Sequence, residues 1–83
     1  MALYFIEYDL RKERDYQKLY EELKNFKAIQ VLESSYCFKR YDTNAKSLRE
    51  HFLNFVDSDD RLIVLQVKHF AGFNLINTPY KPD

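Results

Sequence analysis

A chain of 83 residues makes one domain, and its one cysteine, Cys37, excludes an internal disulfide. Thirteen basic side chains balance thirteen acidic ones, so the basic excess of a protein that grips nucleic acid mainly by counterion release is missing. The lone glycine, Gly72, excludes Gly-rich phosphate loops, and no apolar run approaches the roughly 18–20 residues that span a bilayer.

Residues 2–9 (Ala-Leu-Tyr-Phe-Ile-Glu-Tyr-Asp) predict a strand, with Ala2, Tyr4, Ile6 and Tyr8 on one face and Leu3 and Phe5 on the other. A strand apolar on both faces is normally covered on both. Helices cover one side of a small sheet, so the other side predicts a second subunit and hence a homodimer. The N-terminus has no basic region and meets an acid too early for a signal peptide, and a lone cysteine suits a reducing compartment. The expected location is the cytoplasm, with no membrane association.

Residues 10–14 form a charged connector. A helix follows, with Asp15 as N-cap and Tyr16, Leu19, Tyr20, Leu23 and Phe26 at helical spacing. Ala28 to Arg40 is rich in β-branched and aromatic residues, interrupted at Glu33-Ser34. It predicts two strands, 28–33 and 35–40, joined by a tight turn, with one long bent strand as the alternative. Tyr41-Asp42-Thr43-Asn44 supplies turn and capping residues, and a second helix spans 45–56 with Ala45, Leu48, Phe52, Phe55 and Val56 inward. The acids at 57, 59 and 60 end it, and residues 61–68 form the last strand, a neighbour of the first at or near the centre of the sheet. The tail, 69–83, is too apolar to be a solvated end and is expected to lie over a neighbouring surface. The order β-α-β-β-α-β is that of an α+β, ferredoxin-like split βαβ sandwich. Its right-handed crossovers put both helices on one face of a four-stranded antiparallel sheet.

Chemistry-bearing residues are few. Asp9 ends the first strand where the chain turns polar, as a hard oxygen ligand for magnesium or as the cap of the following turn. Arg11, Lys12 and Arg14 follow it, and Lys39, Arg40, Lys46 and Arg49 make a second basic group. Together on one edge they would position phosphates; otherwise they are solvated charges. Ser34 and Ser35 sit where the middle strands meet, to contact phosphate or their own backbone. Tyr4, Tyr8 and Tyr36 are base-stacking candidates or core. His51 and His69 belong to no metal-spaced pair.

The strand ending in Tyr8-Asp9, the polar turn, the amphipathic helix and then Val31-Leu32-Glu33-Ser34-Ser35-Tyr36-Cys37-Phe38 resemble the small CRISPR-associated endoribonuclease-like family, the dimeric subunit of spacer-integration complexes. Virulence-associated protein D ribonucleases share that scaffold. The likeness spans about residues 2–68, with Ser35-Tyr36-Cys37 at the place of a Ser-Val-Phe-like third-strand motif. The glycine that often follows that motif is missing here. The resemblance implies a homodimer associated with RNA or DNA. It also implies a magnesium-dependent phosphodiesterase in which Asp9 binds the metal across the dimer interface and Arg11, Arg14 and Ser35 position phosphate. Since many such proteins are non-catalytic adaptors, the alternative expectation is a protein-interaction module: an inhibitor, antitoxin or assembly subunit with a protein partner.

Overall fold

A computed structural model describes residues 1–11 and 16–82. Lys12, Arg14 and the expected helix cap Asp15 lie outside the described residues. The chain runs β1 (Ala2–Asp9), α1 (Gln17–Asn25), β2 (Ile29–Leu32), β3 (Ser35–Arg40), α2 (Ala45–Phe52), a 3-10 turn (Leu53–Phe55) and β4 (Arg61–Val67). The strands form one antiparallel sheet in the order β2-β3-β1-β4, the α+β split βαβ topology that the element order predicts. β4 does pair with β1, but as the outer strand of the sheet.

The period of two in β1 divides the core. Tyr4, Ile6 and Tyr8 join Phe38 from β3, Tyr16, Leu19 and Leu23 from the α1 side, and Leu48 and Phe52 from α2. Both helices therefore lie on this face. Phe38 sits in the middle, its ring centroid 5.0 Å from that of Phe26, 5.9 Å from Phe52 and 6.0 Å from Tyr4. Tyr20 departs from the expected inward set. It lies at the exposed flank of α1 and takes part in the hydroxyl cluster of Tyr8 and Tyr36.

Local chemistry sets the helix ends. α1 closes with the paired bonds Lys27 N–H to Lys24 C=O (2.9 Å) and Ala28 N–H to Leu23 C=O (2.9 Å), with Lys27 in the left-handed region at φ 55°. α2 opens on Asn44, whose side chain accepts from the Ser47 N–H at 2.8 Å. Asp60 knots three segments: it accepts from the Arg11 N–H (2.8 Å), the Tyr16 hydroxyl (2.9 Å) and the Asp57 N–H (2.8 Å). The turn after α2 thus ties Arg11, just past β1, to Tyr16, just before α1.

His51 on α2 donates through Nε2 to Glu22 on α1, which gives it a structural task between the helices. The Asn25 amide, then His51, hold the Glu22 carboxyl below its usual value. A depressed carboxyl stabilises the fold above its unfolded pKa, near 4.5, and that contribution is lost as pH falls through the folded value. Glu22→Gln is accordingly expected to cost about 1 kcal/mol at neutral pH, a modest figure because His51 is part-exposed. In strong acid the gap should close. Urea titrations at both pH values check this; an equal gap at both would mean that charge plays no part.

The second sheet face is also covered, but by the chain itself. Leu3 (1% exposed), Val31 and Cys37 form a separate cluster with Phe5, Ile29, Val67 and Tyr80. The tail is pinned by Ile76 N–H to Val31 C=O (2.9 Å), Asn77 Nδ2 to Gln30 C=O (2.8 Å) and the Tyr80 hydroxyl to Lys27 C=O (2.8 Å). It lies over the sheet as expected, without forming a strand. The inference that this face demands a second subunit therefore fails over β2, β3 and the start of β1. Cover is thinner toward β4, where Ile63 (53%) and Leu65 (38%) stay exposed. Among the described residues no helix is long and apolar enough to cross a membrane.

Candidate functional site

The last residue of β1 is Asp9, and antiparallel pairing sets Arg61, the first residue of β4, directly opposite it. Asp9 Oδ2 lies 3.4 Å from Arg11 Nη1 and 3.6 Å from Arg61 Nη1. The bond from the Arg11 backbone to Asp60 fixes where the connector leaves the strand, and so brings its guanidinium back over Asp9. These groups border an open depression of about 300 Å³ lined by Glu7, Tyr8, Asp9, Arg61, Leu62 and Ile63.

All three charged side chains are largely exposed, so the ion pairs contribute on the order of 0–1 kcal/mol each and exchange readily for another anion. Two guanidinium forks beside one carboxylate suit a phosphate better than a cation, because the forks match phosphate oxygens and repel metal. Glu7 shares the sheet face with Asp9, two residues back, and accepts from the Ser35 hydroxyl at 3.4 Å. Among the described residues no group of three potential metal-binding side chains occurs. The donor set that the described residues bring together around Asp9 does not fit magnesium.

The site residues expected from sequence are thus divided. Asp9 and Arg11 meet. Ser35 is on the same face but 3% exposed, engaged by Glu7 and withdrawn from any phosphate in the depression. Arg14 lies outside the described residues. Two members of the second basic group lie away from Arg11: Lys39 and Arg40 pair with Leu3 and Ala2 at the opposite end of β1. Arg40 is committed there, its guanidinium carbon 3.9 Å from the Phe26 ring centroid. Arg49 pairs with Glu50 on α2.

The base-stacking candidates are core. Tyr4 is buried and donates to the Thr43 carbonyl at 3.0 Å. Tyr8 is buried against Tyr36, ring centroids 6.2 Å apart. Burial, then the neighbouring Tyr36 and Tyr20, push the Tyr8 hydroxyl pKa far up, so it is neither a base nor a ready anion. Cys37 is a buried thiol whose pKa burial raises.

Arg61 is the functional residue that sequence reading misses. Its signal is present all the same, since an antiparallel neighbour of β1 must begin where β1 ends. No protein-family model matches the chain, and no solved structure matches it.

Proposed function

We propose that the chain is a homodimeric, nucleic-acid-associated protein that contacts the phosphate backbone through Arg11 and Arg61 at the Asp9 end of the sheet. The observation that carries this reading is the convergence of those two guanidiniums on one exposed depression. The resemblance of residues 2–68 to nuclease-like dimers supports it. Neutral net charge limits the footprint to a few phosphates and predicts weak, salt-sensitive binding.

Arg61→Ala and Arg11→Ala are each expected to weaken binding uniformly across sequences and to lower the salt slope by about one contact. Gel shifts of single- and double-stranded RNA and DNA at two salt concentrations read this out. Absence of any salt-sensitive complex would remove the reading. Magnesium-dependent hydrolysis is its narrower form and needs ligands beyond those that the described residues bring to Asp9. Cleavage that requires magnesium and disappears in Asp9→Ala would support it, whereas unchanged cleavage in that variant would exclude Asp9.

A non-catalytic protein-interaction module is the second reading. It is favoured by the exposed apolar side chains Ile63, Leu65 and Phe73, the last 86% exposed. Recovery of a stable protein partner together with no nucleic-acid shift would select it.

A further inference from the structure

The two edges of the sheet are treated differently. At β2 the tail bonds to the Val31 and Gln30 carbonyls, which blocks that edge against further strands. The outer edge of β4 meets no strand among the described residues. It carries Leu62-Ile63-Val64-Leu65, without the charge, proline or bulge by which proteins blunt an exposed edge.

We propose that this edge is the homodimer interface: β4 pairs antiparallel with β4 of a second copy about a two-fold axis at Val64, giving one continuous eight-stranded sheet. The proposal rests on the homodimer reading above and names its surface.

Hydrogen-bond parity sets the register. The Tyr8 N–H bonds to the Ser34 carbonyl, toward β3, so the even residues of β1 face β3 and its odd residues face β4. On β4 the partners of those odd residues, Arg61, Ile63, Leu65 and Val67, are used inward. Leu62, Val64 and Gln66 then point their N–H and C=O groups out of the sheet. Centring the axis on Val64 pairs Leu62 with the partner's Gln66 and Val64 with the partner's Val64, for about six new backbone bonds.

Side chains agree with this register. Ile63 falls opposite the partner's Leu65 in a non-hydrogen-bonded pair, where side chains approach most closely, and this covers the two apolar residues the tail leaves open. Shifting the register by one residue loses the outward amides and sets Arg61 against the partner's Lys68.

This geometry also bears on the Asp9 sites. With two β1 strands separated by the central β4 pair and displaced along it, the two Asp9 residues lie roughly 25 Å apart. They cannot share a metal ion, and each phosphate site works alone.

The test is sedimentation of the full chain over a wide concentration range, beside two double variants at these exposed positions. Ile63→Lys with Leu65→Lys places like charges opposite each other and is expected to weaken the dimer about 100-fold or more. Ile63→Lys with Leu65→Glu places opposite charges there and is expected to restore most of the affinity. Circular dichroism of both variants should match the wild type, as neither residue is buried. A wild-type chain that stays monomeric overturns the proposal together with the homodimer reading. A dimer that survives both variants equally overturns this interface alone, and phosphate binding by Arg11 and Arg61 stands or falls separately in the gel shifts.

Discussion

Phe38→Ala is expected to cost about 3–5 kcal/mol, enough to leave much of the protein unfolded near physiological temperature. Three rings close on Phe38, from β1, the end of α1 and α2, and its own side chain is fully buried. Deleting it removes the transfer free energy of one large ring and leaves a hole that neighbours on three different elements cannot all collapse into. The margin is thin, because a domain of this length has on the order of 4–12 kcal/mol in total. The measurement is the urea midpoint, with an unchanged slope showing that the loss is stability alone. Phe73→Ala makes the comparison decisive: the same deletion at an exposed ring should change stability by no more than about 0.5 kcal/mol. Similar losses at both positions would mean that the helix-side core is not packed as described.

Nothing in composition separates those two phenylalanines; periodicity does. Phe38 falls in phase with Tyr36 in a strand whose even residues face the helices, and Phe73 lies in a segment with no period at all. The same contrast runs through the whole molecule. β1 matches its expected bounds, Ala2–Asp9, because its alternation is unbroken and polar residues follow it. Ser34 and Ser35 look interchangeable in sequence, yet the period of two buries one against Glu7 and leaves the other outside. In β4 an apolar run without alternation predicts cover on both faces and so a place near the centre of the sheet. It is an edge strand, paired on one side with β1, and its residues Ile63 and Leu65 stay exposed. The Asp9–Arg61 pair depends on register between residues 52 positions apart, which appears only once strand order is known. Arg11 is legible because it is near Asp9 in sequence; Arg61 is not, because it is near only in space.

The largest effect on the second sheet face should come from removing the chain beyond Lys68. Cys37 is expected to become reactive toward a thiol reagent at least about 100-fold faster than in the whole protein, the protection given by a net docking free energy of about 3 kcal/mol. In the intact fold the thiol is fully buried, and that burial raises its pKa against a smaller lowering by the Tyr80 backbone. The reagent therefore waits for the tail to open. The tail must beat the entropy of its own ordering, and it does so with three long-range hydrogen bonds and the burial of Leu3, Val31 and Tyr80. Ile76→Pro, which removes the donor to the Val31 carbonyl while leaving the rest of the tail in the chain, should give an intermediate rate. Equal reactivity in the intact and shortened chains would show that the tail does not cover the sheet. In that case Leu3 and Phe5 would again be open, and a face-to-face dimer that brings two Asp9 residues together would regain the geometry that a docked tail denies it.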